Sequence, residues 1–564
     1  MAQMKTAPKL VLIVVVVAIT LFGLKTVADH FGIGILKSMT VGRVTLPDVK
    51  DAVVGDVKPA AYPSSSSGGC GDPIRSEVWA WNAQMGYIYA NGGPDTTKSS
   101  LMQKYGVCLK LTRQDDTTQM QNDLVACAKD LKSSTECRSG ANFVTIMADG
   151  SGQFLASLNA QLKKICADCT AEIVGTTGFS RGEDALWGPE SWKASPRSML
   201  GDGLIAGVLR DGDWNTALKY EGDNALKNNP DEHTFDPDAV NWVNAADYIK
   251  AAQMYVSGYC EDRKFVKDGK LTGETKNVCV KGVVTWTPGD VIIAKQKGGI
   301  VRIVSTRQYR SQMPSAVIGI KKWNRAHGDD VAKMLAAALE GGDQVKAFPE
   351  ALKRAGEISA KVYGEQGGDY WVRYYRGVTE PDATGKPVEL GGSYADNMND
   401  ALAVFGLTPG ANNNVKATYA TFAKIVTEQY GSLFKNTPIP PYEQVANTSY
   451  LLQAKSLVEN PGSQADVQQY SATAEATKVV SDKNWDIEFE TGSRALTPSG
   501  MQTVKQIKDQ VAITGLWLLH KCDRGACVRF SHLFEGTPND STRDMVSKER
   551  ARYGIRGSRA LHVL

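Results

Sequence analysis

From residue 74 onward, short apolar runs alternate with stretches of helical period. Ile74–Trp79, Val107–Leu111 and Phe143–Met147 have the length and composition of strands. Between and after them come a helix ending near Gly106 and the amphipathic stretches Thr117–Leu131 and Gln153–Ile165. This alternation predicts a parallel sheet covered by helices on both faces. After Ile173-Val174 the texture changes: residues 176–300 are rich in Gly, Trp and Asp, with short strands expected at Gly203–Leu209 and Val278–Trp286. Helical alternation resumes after Val317–Ile320, with helices expected at Asp329–Leu339 and Asp343–Val362. A sheet domain interrupted by a second one and then resumed predicts a two-lobed, hinged α/β protein. The module spans 74–445, with lobe 1 at about 74–174 and 312–445 and lobe 2 at about 175–311.

The flanks read differently. Lys5 and Lys9 precede an uncharged apolar run, Leu10 to Leu24, closed by Lys25. At about 1.5 Å per residue the run spans roughly 22 Å, short of a ~30 Å hydrocarbon core unless lysines snorkel and the bilayer thins. Residues 1–28 therefore read as a single-pass anchor with a cytoplasmic N-terminus. The same length fits a removed signal peptide, although Thr26-Val27-Ala28 is the best cleavage site on offer. Either way the rest of the chain is exported, to the periplasmic side of an inner membrane or free beside it. Residues 29–73, with the polar tract Tyr62 to Gly69, read as a flexible linker. Residues 446–482 read as a polar helical connector and 483–564 as a separate tail.

Composition narrows the function classes. The 564 residues hold 64 Lys+Arg against 61 Asp+Glu, a formal charge of +3, which gives no footprint for nucleic acid. The six histidines are scattered, so neither a metal centre nor a cofactor is expected. Ten cysteines in an exported chain point to disulfides. Cys260 with Cys279 would staple a charged loop, and Cys127 with Cys137 is a second local pair. Cys166 and Cys169 form a CxxC at a helix end, where the dipole opposes a low thiol pKa. A structural bridge or two inert thiols fit better there than redox chemistry.

In an open parallel sheet, ligands sit outside the carboxyl ends of the strands. That rule selects Trp81-Asn82-Ala83-Gln84, Arg113 to Thr118 with Thr117 or Thr118 capping a helix, and Asp149-Gly150-Ser151-Gly152. In the middle region it selects Ser180-Arg181-Gly182-Glu183-Asp184, Asp211-Gly212-Asp213-Trp214-Asn215 and Thr285-Trp286-Thr287-Pro288-Gly289-Asp290. Gly178-Phe179-Ser180-Arg181-Gly182 also matches the G-x-S-x-G nucleophile elbow. The match lacks a strong preceding strand, and Gly188-Pro189 break any following helix, so a serine hydrolase stands only as an alternative.

These passages resemble class II substrate-binding proteins of ABC transporters, and most closely the phosphate-type modules fused to an OmpA-like tail in bacterial envelopes. The likeness is carried by Val78 to Gln84, Gly178 to Asp184, Val208 to Asn215 and Val284 to Asp290, within about two-thirds of the chain. It implies a type II two-lobed fold, a small-molecule solute, an ABC-type permease as partner and no catalysis. Trp81, Asn82, Gln84, Asp149 and Ser151 would face Ser180, Arg181, Glu183, Asp184, Asp213, Trp214, Asn215, Thr285, Trp286 and Thr287 across the cleft. Arg181 would match an anion such as phosphate; Glu183 and Asp184 beside it leave a zwitterionic or organic ligand open. A scaffold with a vestigial cleft is the other alternative. In the tail, Trp485 to Gly500 and Val546 to Ala551 resemble an OmpA-like peptidoglycan-binding domain, with Arg550 as the cation. Ser531-His532-Leu533-Phe534 replaces the family's Gly-His-Thr-Asp, so the tail reads as degenerate or truncated, with weak peptidoglycan affinity.

Overall fold

The computed structural model describes residues 37–458, apart from Val53 and Asp56, together with Met501. The expected anchor, the OmpA-like tail with Arg550, and most of the 446–482 connector lie outside the described residues. No helix among the described residues is long and apolar enough to cross a membrane.

Two sheets share one strand order. The first runs Leu109–Arg113, Ile74–Val78, Phe143–Met147, Ser315–Ile320, Ala171–Gly175. Its strands are parallel except Ser315–Ile320, which is antiparallel to both neighbours. Phe143–Met147 is buried at every residue, as a central parallel strand covered on both faces must be. In the second sheet the corresponding order is Asn241–Asn244, Leu204–Gly207, Lys270–Thr285, Ala185–Gly188, Val301–Ser305. Here Ala185–Gly188 is the reversed strand. In each sheet the reversed strand is the first one made after the chain crosses from the other. Adjacent residues of the second sheet point to opposite faces: Trp187, Leu204 and Val283 enter one apolar cluster, and Leu186, Ile205 and Val284 enter another.

Helix positions follow local chemistry. Thr117–Leu131 begins where the Asp116 side chain accepts the Thr118 and Gln119 amides, so the cap is Asp116 and not either threonine. The expected Gln153–Ile165 helix starts two residues earlier, as Ser151–Leu162. The charged stretch between Cys260 and Cys279 is an antiparallel hairpin, turned at Asp268 and Gly269 with φ of 50° and 71°. Two consecutive positive φ values suit an Asp-Gly pair. All three cysteine pairs named from the sequence are bridged, and Cys70 is bridged to Cys108 as well.

Two chain crossings and a strap join the lobes. Gly178–Ser180, in the first crossing, pairs with Ser393–Ala395, and Phe179 bridges to Pro314 in the second. Residues 37–73 are not a free linker. Met39–Thr40 pairs with Lys227–Asn228 of the second lobe, and Val41 packs into its core. Farther on, the Val49 amide bonds Ser311, the Ala52 amide bonds Asp400, and Lys58 and Ala60 both bond Gln344. The serine tract is also held, with Ser64 and Gly68 bonded to Lys98 and Thr96 and Cys70 bridged to Cys108. Composition suggested mobility there because the partners lie far away in sequence.

Candidate functional site

The carboxyl ends of the two sheets meet. The Ser151–Leu162 and Gly212–Asp223 helices begin so close together that their first turns carry glycine. A Cβ on Gly212 would lie 2.4 Å from Met147 Sδ and 2.9 Å from Asp149 Oδ1. One on Gly150 would lie 3.1 Å from Asp211 Oδ1. Beside this junction is a cavity of about 250 Å³ lined by Gly150, Gln153 and Phe154 from one lobe and Leu209, Arg210 and Asp211 from the other.

Six of the expected residues converge here. Trp81 Nε1 donates to Asp184 Oδ2 at 3.1 Å. Asn82 donates to Glu183 Oε1 through its side chain at 3.0 Å and its backbone amide at 3.4 Å. Asp213 sits within hydrogen-bond reach of Asp184, and the charge of Asp149 is felt at Asp213. All six are buried. Trp286 closes the apolar side: its ring stacks on Tyr248 at 3.9 Å and its Nε1 donates to Ala80 O of the first lobe.

Other expected residues have different duties. Arg181 does not complement an anion in the cleft. Its Nη2 pairs with Asp51 at 2.6 Å, its Nη1 donates to Arg310 O, and its guanidinium lies 4.0 Å from the centre of the Phe179 ring. Trp214 belongs to an apolar cluster with Trp242 and Tyr430. Ser151 donates to Ala148 O, Thr285 to Tyr248 O, and Gln84 to Trp79 O and Tyr363, all of them local or supporting bonds. Ser180 Oγ is bonded to Thr306 Oγ1 at 2.6 Å and accepts the Asp184 amide. It sits in a short strand with no imidazole among its partners, so the elbow reading has lost both its turn and its base.

Four further groups of this site are not among the ligand contacts expected from the sequence. Asp211 and Asp290 lie in loops the strand-end rule picks out. Asp290 accepts the Gly391 amide at 2.9 Å and its charge reaches Glu183. Gln312 comes from the second crossing and Ser393 from the strand that pairs with the first, and neither carries a motif. Gln312 Nε2 donates to Asp149 Oδ2 at 2.9 Å and to Thr216 Oγ1 at 2.8 Å, while Ser393 Oγ donates to Glu183.

Electrostatically the junction is acidic. Burial pushes Asp149 up to about 8 and Asp211 up to about 7. Burial, then repulsion among the carboxyls, drives Glu183 and Asp213 well above the usual carboxylate range, and burial raises Asp184. None of these five forms an ion pair among the described residues.

No protein-family model and no curated protein matches the chain. Solved structures do. The periplasmic nitrate-binding protein NrtA from Synechocystis PCC 6803 matches at 11% identity over 67% of this chain and 91% of its own, with a TM-score of 0.42. The alkanesulfonate-binding protein SsuA from Xanthomonas axonopodis pv. citri, bound to MOPS, matches at 10% over 67% and 100%, TM-score 0.40. The desulfurization enzyme DszB matches at 13% over 68% and 99%, TM-score 0.35. Strand order, and not these alignments, carries the fold.

Proposed function

We propose that the chain is an exported solute-binding protein whose two lobes close on a small molecule at the junction of their sheets, without altering it. One observation carries this reading. Asn82 Oδ1, both polar atoms of the Asn215 side chain and Gln312 Oε1 are buried without a hydrogen-bond partner, and Asp184 Oδ1 and both oxygens of Asp213 have none beyond each other. Native interiors rarely leave so many polar atoms unpaired, and a ligand held between the lobes would satisfy them. The crossings at Gly178–Ser180 and Pro314 supply a hinge, and such hinges let lobes part and close. Four disulfides favour an oxidising compartment, and the apolar run Leu10 to Leu24 favours tethering on the periplasmic side of an inner membrane. An ABC-type permease is the partner that would take the released solute.

The test is native mass spectrometry of the purified full chain, with small-angle scattering before and after exhaustive dialysis. A copurifying small molecule whose removal enlarges the particle is the expected result. A particle that never carries a small molecule and never changes dimension would leave the scaffold alternative standing.

A further inference from the structure

The unpaired atoms at the junction are not a random mixture of donors and acceptors. Asn82 and Gln312 each spend their amide nitrogen on a carboxylate, Asn82 on Glu183 at 3.0 Å and Gln312 on Asp149 at 2.9 Å. In these orientations each amide nitrogen has a carboxyl oxygen to donate to, and Gln312 Nε2 also has Thr216 Oγ1. Both residues are fully buried, and both are left with a carbonyl oxygen that nothing donates to. Asp149 Oδ1 is open in the same way, and Asp184 Oδ1 and both oxygens of Asp213 have no donor beyond the contact between those two carboxyls. Asn215 Oδ1 and Gln153 Oε1 are open too, so acceptors outnumber the open donors around them, the Asn215 and Gln153 amide nitrogens and Trp79 Nε1. The charge agrees with the count. Asp149, Glu183, Asp184, Asp211 and Asp213 are buried together, and the first cation expected among them, Arg181, is spent on Asp51.

We infer that the ligand of this cleft is an organic cation rich in N–H donors, an ammonium or guanidinium group seated among Asp149, Asp184, Asp213, Asn82 and Gln312. The inference rests on the solute-binding reading. Without a counter-charge these buried carboxyls hold their protons; a cation entering with the closing lobes lets them ionise and donates to their oxygens. A bare metal ion fits less well. Among the described residues, the only His, Cys, Asp or Glu groups that converge within 4.8 Å in threes are Cys166, Asp168 and Cys169, far from the cleft and two of them bridged. Asp184 and Asp213 approach each other, but no third cleft acid joins them within 4.8 Å, too few oxygens for an ion that takes six or more.

The experiment titrates the full chain, stripped by partial unfolding and refolding, with five probes under calorimetry. These are 1,4-diaminobutane, 4-guanidinobutylamine, the neutral isostere 1,4-butanediol, calcium ion and inorganic phosphate. The expected result is binding by at least one of the two amines and by none of the other three. Asp213→Asn should weaken that binding about tenfold or more, equivalent to about 1.4 kcal/mol, and Asp184→Asn, a second variant in case the first misfolds, should do the same. Binding by phosphate, calcium or the diol, or by neither amine, overturns the cation while leaving solute binding intact. If in addition no small molecule copurifies with the native chain, the binding reading itself falls.

Discussion

At the scale of single residues, burial of carboxyls sets how the molecule responds to pH. Asp149 and Asp211 titrate in the folded state at about 8 and about 7, and in the unfolded chain near 4. The folded state therefore holds more protons between those values, and stability falls as pH rises through that window. Without ligand, the melting temperature should drop from pH 5 to pH 8.5, and Asp149→Asn should flatten the decline; a melting temperature that climbs over this range refutes the assignment. The glycine at 212 makes a second prediction. A methyl there would meet Met147 Sδ and Asp149 Oδ1, so Gly212→Ala should hold the lobes apart and lower ligand affinity, with scattering reporting a larger particle in the presence of ligand. The strand-end rule selects loops, and the structure packs loops from both sheets together because both sheets point their carboxyl ends at one junction. The rule says nothing of side-chain direction. Arg181 sits in a selected loop yet turns to Asp51, 130 residues earlier, a partner no local pattern reveals. Gln312 reaches the junction only because the second crossing passes through it.

Among the elements, those buried on both faces were the most legible. Phe143–Met147 is apolar at every residue but Thr145 because every side chain in it is covered, and Thr117–Leu131 shows its period and its breaks plainly. Lys270–Thr285 was half hidden: residues from Lys270 to Asn277 are exposed and, Leu271 and Gly273 apart, polar, so only the inner half reads as a strand. Its outer half forms a hairpin with Cys260–Lys267, and Cys260 lies directly opposite Cys279 in the ladder. Replacing both cysteines by serine should lower stability by about 3 kcal/mol or less and expose the Asp268–Gly269 turn to proteolysis. An unchanged melt and digestion pattern would mean that the ladder alone holds the hairpin. Cys70–Cys108 escaped notice because the serine tract beside Cys70 has the composition of a spacer.

At the scale of the whole molecule, the crossings and the strap act together. Asp51 accepts Arg181 Nη2 from the first crossing at 2.6 Å and Arg310 Nη2 from the second at 2.5 Å. One carboxylate thus ties both crossings to the strap. Asp51→Ala should cost about 1 kcal/mol of stability, since the aspartate is a quarter exposed, and should make the 37–60 stretch more sensitive to protease. Equal protease resistance in variant and parent would show that the strap is held by its other contacts. The strap also fixes an order of events. Met39–Thr40 needs Lys227–Asn228, Thr40 O accepts from Gln429, and the Ala52 amide needs Asp400, 348 residues onward. Its berth does not exist until the ribosome has made nearly all of the two-lobed module. Such long-range closure is slow and comes after local structure. The stretch that is synthesised before the module is therefore among the last to dock, and during synthesis it must wait, unfastened, for its own distant partners.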